Sequence, residues 1–328
     1  MSNTGVILVT GVAGFIGSHL VEALLGAGRA VVVVDDFSTG TETNLAAVRG
    51  HPGLRVIQGK VSKCAELGEI AREAEGVYHL AAAVGVELVL ANPLAAIRTN
   101  LHETEVVLEA AARWGTRVLL TSTSEVYGKS GKAQLEEGDD LIIGPPHLSR
   151  WSYACSKLMD EFLALAQARV SGLPVTIARL FNTVGPRQTG RHGMVLPRFV
   201  AAALKDEPLR VHGDGLQTRC FCHVGDTVEA LTRLMAAPAV RGEIFNVGSE
   251  EEITIAGLAE AVIRTLGSRS VIERVPYTQA YPAGFEEMQR RRPSVAKLRA
   301  AVGFSPGHSL ERIIRDTAAA AGGGGVQV

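Results

Sequence analysis

Short apolar runs recur through the first half of the chain, separated by longer stretches with a helical period. Residues 6–9, 30–34, 55–58, 77–80, 118–120 and 175–180 read as strands, most of them apolar at successive rather than alternate positions. Between the first two, Ile16, Leu20, Ala23 and Leu24 share one face of a helix over 15–25. A strand that is apolar throughout is buried on both faces, as happens in a parallel sheet with helices on each side. The pattern predicts an α/β fold: a Rossmann-type doubly wound parallel sheet. A long helix over 93–114 is apolar almost all round, more than its own sheet can cover.

Past residue 180 the regularity loosens, with Gly, Pro and Arg concentrated in 183–225 and irregular spacing over 241–311. The expected division is 1–180 in the sheet domain, with a segment at about 218–250 returning to it, and 181–315 mainly in a smaller C-terminal lobe. Residues 316–328, which contain Gly322, Gly323, Gly324 and Gly325, are expected to form a flexible tail.

Composition narrows the function. The 328 residues carry a net charge of −1, which excludes the basic excess that nucleic acid or a polyanionic membrane surface demands. Four cysteines, Cys64, Cys155, Cys220 and Cys222, match no disulfide framework and no zinc spacing, so no metal is expected. The N-terminus lacks a basic region followed by a cleavable apolar stretch, and no run reaches membrane-spanning length. These readings lead to the expectation of a soluble, cytoplasmic protein without a membrane partner.

Candidate chemistry starts at Gly11-Val12-Ala13-Gly14-Phe15-Ile16-Gly17, directly after the first strand and at the head of the first helix. Glycines there allow a tight turn, close approach of a pyrophosphate, and close helix–strand packing. The helix N-terminus then faces the phosphates. The second strand ends in Asp35-Asp36. An acid at that place accepts from the ribose hydroxyls and repels a 2′-phosphate, so NAD is expected rather than NADP. Asp35 is the better candidate, with Asp36 either assisting or capping the next turn. Further on, Tyr153 and Lys157 stand four apart on one helix face. A nearby ammonium favours the phenolate of a tyrosine whose free pKa is about 10. Residues 121–128, TSTSEVYG, put a carboxylate, Glu125, among hydroxyls at a strand end.

Taken in order, these features resemble the extended short-chain dehydrogenase/reductases that modify nucleotide sugars, across nearly the whole chain. Within that branch the strings TSTSEVYG, RWSYACSK, FNTVGPRQ and HGDGLQTR are similar to those of the UDP-glucuronate decarboxylases. The resemblance implies a UDP-sugar substrate, a C-terminal nucleotide-sugar-binding lobe, and a homodimer paired through helices 93–114 and 152–169. It implies that Tyr153 takes the proton of the sugar 4-hydroxyl, that Lys157 tunes it and holds the nicotinamide ribose, and that Thr123 hydrogen-bonds the same hydroxyl. Glu125 is then the acid–base group near C5, or the group that orients its proton source. The cofactor set it implies comprises Gly11, Ala13, Gly14, Phe15, Ile16, Gly17, Asp35, Asp36, Ser38, Thr39, Gly40, Leu80, Ala81, Ala82, Asn100, Thr121, Tyr153 and Lys157. The substrate set comprises Glu87, Arg150, Asn182, Val195, Arg219 and Arg291, with the arginines suited to paired contacts with phosphate oxygens.

The chain departs from its relatives at Lys60, where many have an aspartate for the adenine amino group, at His212, often a tyrosine, and in the loop AAVGVELVLANP. Two other enzymes share C4 oxidation. A UDP-sugar 4-epimerase needs no carboxylate at position 125. A 4,6-dehydratase of the dTDP-glucose type has an acid where this chain has Ser124, whereas the GDP-mannose type keeps Thr-Ser-Glu but fits the other strings worse. A non-catalytic NAD-binding scaffold is the reading from another class, and an intact Thr123, Tyr153 and Lys157 weighs against it.

Overall fold

The computed structural model describes residues 5–84, 92–190, 194–280, 286 and 288–323. In chain order the principal elements are β1 (Val6–Thr10), α1 (Phe15–Gly26), β2 (Ala30–Asp35), β3 (Leu54–Gln58), α2 (Leu67–Glu73), β4 (Ala74–His79), α3 (Pro93–Ala112), β5 (Arg117–Thr123), α4 (Ser152–Ser171), β6 (Val175–Leu180), α5 (Val195–Ala203), α6 (Val224–Ala236), β7 (Glu243–Val247), α7 (Ile255–Leu266), α8 (Ala296–Val302) and α9 (Leu310–Gly323). The seven strands form one parallel sheet in the order β7-β6-β5-β4-β1-β2-β3.

Both faces of this sheet are covered, as the unbroken apolar runs require. On one side Leu20, Val21 and Leu24 of α1 pack with Val228 and Leu231 of α6 and Leu298 of α8. On the other, Leu67 and Ile70 of α2 pack with Val107 and Leu108 of α3 and Ala164 of α4. Each fully buried Val or Leu there contributes about 1.5–3 kcal/mol. The chain reverses direction across the sheet between β1 and β4, where a ligand crevice opens beyond the strand ends.

A separate apolar cluster joins Leu196, Phe199 and Val200 of α5, Leu258 and Val262 of α7, and Ile313 and Ile314 of α9. This corrects the expected tail. Residues 316–323 continue α9, and Thr317 and Ala318 are buried against the same cluster. The glycines that suggest fraying come only after a helical stripe of Ile313, Ile314, Thr317 and Ala318 has already found a partner.

Three small strands have functional weight. Thr218–Cys220 pairs antiparallel with Glu252–Thr254 and parallel with Arg290–Arg291, in a register that sets Arg291 beside Arg219. All four cysteines are free thiols, with Cys220 and Cys222 buried, and burial raises both thiols to about 12.

Candidate active site

The glycine-rich turn is shaped by steric contacts that only bare backbone tolerates. Gly11 has φ +74°, and a Cβ there would lie 2.5 Å from the Ala81 nitrogen at the end of β4. A Cβ on Gly17 would meet the Gly11 carbonyl oxygen at 2.4 Å. Gly14 has room, its closest atom being 3.5 Å away, so its bareness serves approach from outside. Phe15 and Ile16 open α1, whose N-terminus no side chain caps, leaving first-turn N–H groups for an anion.

Asp35 closes the other side of this cradle. Its carboxylate accepts from the Ala13 nitrogen at 2.8 Å and the Phe37 nitrogen at 2.7 Å. Burial raises its pKa, and these two N–H groups oppose the rise. Asp36 accepts from the Ser38 nitrogen at 3.0 Å and so caps its own turn. Thr39 lies in that turn, and Gly40 packs where a Cβ would fall 2.2 Å from the Ala13 backbone. Thr41 and Asn44 then donate to the Ala13 carbonyl at 3.0 and 2.8 Å, contacts that sequence reasoning missed because they come from beyond the motif. At the far wall, the Leu80 and Ala81 nitrogens donate to the Thr10 carbonyl and hydroxyl, with Ala82 next in line. Thr121 donates to the His79 carbonyl at 3.1 Å. Asn100 accepts from the Ala83 nitrogen at 2.7 Å and donates to Ser156 at 3.0 Å, tying this wall to α4.

Helix α4 carries Tyr153 and Lys157 on one face, with Ser156 bonded back to the Tyr153 carbonyl at 2.9 Å. The Tyr153 phenol is buried and hydrogen-bonded to the Thr123 hydroxyl. Burial raises its pKa, and the Glu125 and Asp160 carboxylates raise it further. Lys157 was expected to be the tyrosine's electrostatic partner. Its ammonium lies 2.7 Å from Asp160, and both side chains are buried. The signal for Asp160 was present in SYACSKLMD, since a three-residue spacing places it one turn from Lys157.

Glu125 sits in a one-turn 3₁₀ helix, Ser124–Tyr127, which Thr123 caps by accepting from the Glu125 nitrogen at 3.2 Å. The Glu125 carboxylate is gripped from two sides, one oxygen by Arg150 and the other by Arg291. Burial alone would raise its pKa, but Arg150, Arg291 and more distantly Arg219 hold it near 2. The floor beneath is another buried ion pair. Arg179 donates to Glu161 at 2.8 Å, Ser122 donates to the same carboxylate at 2.5 Å, and Tyr127 donates to Asn246 at 2.7 Å.

Thus Thr123, Glu125, Arg150, Tyr153, Lys157, Arg219 and Arg291 converge. Asn182, at φ 30°, uses its amide to donate to the Cys220 carbonyl at 2.9 Å, which locks the strand bearing Arg219. Val195 opens α5. Glu87 and the loop 85–90 lie outside the described residues.

A parallel sheet with a glycine cradle at its switch point, an acid ending β2 and a Thr–Tyr–Lys group beyond β5 is matched by one family model. The chain belongs to the NAD dependent epimerase/dehydratase family, whose model covers residues 7–248. A UDP-N-acetyl-alpha-D-glucosaminuronate decarboxylase from Bacillus cytotoxicus is 41% identical over 94% of this chain and 95% of its own length. UDP-glucuronic acid decarboxylase 1 of Arabidopsis thaliana is 38% identical over 93% of this chain and 67% of its own. Among solved structures, a UDP-glucuronic acid 4-epimerase from Bacillus cereus, in complex with UDP-glucuronic acid and NAD, has a TM-score of 0.86 at 27% identity, covering 96% of this chain and 98% of that one.

The cradle fits the family's cofactor, with an open Gly14, uncapped helix N–H groups and the Asp35 carboxylate in place. Binding of NAD should be tighter than that of NADP, because Asp35 repels a 2′-phosphate, and Asp35→Asn should narrow the gap. Calorimetric titration of both cofactors checks this, and equal affinities for the parent protein would contradict it.

Proposed function

We propose that this enzyme oxidises C4 of a UDP-linked uronic acid and decarboxylates it, UDP-glucuronic acid being the first substrate to expect and UDP-xylose or its 4-keto form the product. The observation that carries this reading is the Glu125 carboxylate held between Arg150 and Arg291 beside the Thr123–Tyr153 pair. Epimerisation calls only for a base, a hydroxyl partner and a lysine. Guanidinium groups next to the C4 base suit a sugar that carries a carboxylate.

NAD, when bound in the cradle, would supply the hydride acceptor that oxidation at C4 needs. Gly11, Gly14, Gly17 and Asp35 hold it. Tyr153 takes the C4 hydroxyl proton, with Thr123 bonded to the same oxygen. Once C4 is a ketone, the C6 carboxylate is that of a β-keto acid. As CO2 leaves, the C5–C6 electron pair passes onto O4, where the Thr123 and Tyr153 hydroxyls receive the charge. Glu125, with a pKa near 2, has no proton to give at neutral pH. It serves ionised, orienting the arginines that face C5 and the sugar carboxylate. Asn182 and Arg219 support the diphosphate side.

The 41% match to an enzyme named for an N-acetylated uronic acid favours a second substrate with an acetamido group at C2. We propose two lobes, 1–180 with 218–250 returning and the rest of 181–315 as nucleotide-sugar lobe, and a cytoplasmic setting. We also propose a homodimer through α3 and α4. The outward faces of these helices expose Leu94 at 57%, Met159 at 48% and Phe162 at 57%, more apolar surface than a lone helix pair leaves to water. Sedimentation should find a dimer at micromolar concentration; a monomer would refute the pairing.

Product NMR with a panel of UDP-sugars tests the reaction. CO2 release from a UDP-uronic acid is the expected result, and interconversion of C4 epimers without CO2 would replace decarboxylation by epimerisation. Tyr153→Phe should lower turnover by about 10²–10⁴-fold, roughly 3–5 kcal/mol of barrier, while NAD stays bound. Glu125→Gln should still reduce NAD transiently on mixing with substrate but lose CO2 formation. Near-normal turnover would show that the reaction does not need the Glu125 charge.

A further inference from the structure

Asp160 is a fully buried acid in the middle of a helix, at 0% exposure. Such a position favours Ala or Leu, and a carboxylate is rarely placed there unless it is paired. Its partner is Lys157, at 2.7 Å. The surroundings leave Lys157 no second anion among the described residues. Glu161, next on α4, is taken by Arg179 from β6 and by Ser122 from β5. The Thr104 hydroxyl of α3 also favours the ionised Asp160 carboxyl. Glu103 of α3 accepts instead from Ser62 at 2.7 and 2.8 Å. His79 of β4 bonds Thr10 at 2.8 Å and Thr104 at 3.1 Å, and burial with the lysine charge keeps it neutral, with a pKa of about 3.

We infer that Asp160 is a positioning residue for the Tyr153–Lys157 pair, a buried counter-ion that fixes where the lysine ammonium lies and limits how strongly that ammonium favours the phenolate. The charges that raise the Tyr153 pKa are Asp160 from its own helix and Glu125 from the turn after β5, the last offset by Arg150, Arg291 and Arg219, while Lys157, paired with Asp160, stands one helical turn from Tyr153. Asp160 opposes the ammonium directly. Replacing it by a neutral isostere leaves the lysine charge unopposed, so the tyrosine loses its proton at lower pH.

This rests on Tyr153 being the base of the proposed reaction. The test is Asp160→Asn in the NAD-bound enzyme, read in two ways. The acid limb of the kcat/KM profile should move down by roughly one pH unit. The ring-carbon NMR signal of Tyr153, labelled at Cζ and assigned through Tyr153→Phe, should titrate at lower pH than in the parent without any substrate present. Asp160→Ser removes the same charge with a smaller side chain and is read identically should the asparagine variant fold poorly. An unmoved acid limb together with an unmoved tyrosine titration, whatever happens to the absolute rate, overturns the role of Asp160. Full activity in Tyr153→Phe would instead sink the base assignment itself, so the two failures are told apart.

Discussion

An ionised carboxylate stays ionised inside a protein only where cations meet it, and at Glu125 three parts of the chain are committed to that condition. The strand end of β5 delivers the acid, the turn before α4 delivers Arg150, and the pairing of Arg290–Arg291 with Thr218–Cys220 delivers Arg291 with Arg219 beside it. Removing one partner of a buried pair typically costs about 3–5 kcal/mol, because the other charge is left stranded. The segment after residue 217 is therefore bound to the sheet by charge as well as by apolar packing, at the point where the proposed chemistry takes place.

Two acids flank the tyrosine, and their settings differ. Glu125 lies on the arginine side and is held fully ionised. Asp160 lies behind the lysine, where burial raises its pKa and Lys157 opposes that rise. Among the described residues, Arg150 and Arg291 grip Glu125, with Arg219 adding to their field, and Lys157 meets Asp160. These pairings explain how so many ionisable groups share a buried site.

The sheet was legible because a strand buried on both faces must be apolar along its length, and little else in a soluble chain reads that way. The glycine cradle was legible for a similar reason: backbone contacts as close as that of Gly17 with Gly11 exclude every side chain. The start of β4 was not, since Ala74-Glu75-Gly76 carries no apolar signal and is held by its neighbours in the sheet. The last helix was misread because glycines near its end outweighed the stripe of buried residues before them. Individual site residues could be named from motifs, but their pairing could not. Glu125 and Arg291 are 166 positions apart, and they are brought together by the pairing of Arg290–Arg291 with Thr218–Cys220 and by the bridge of Pro293 to Leu135. Asp160 went unremarked although its spacing from Lys157 was in plain view, because an acid on a helix is ordinarily a solvated one.

Running the reaction in D2O with UDP-glucuronic acid, and reading the product by proton and carbon NMR, puts the central claim to its most direct test. Loss of C6 as CO2 leaves C5 to be protonated from solvent, so the account predicts a five-carbon sugar nucleotide carrying deuterium at C5. A six-carbon product that keeps its carboxylate and has no deuterium at C5 would contradict it.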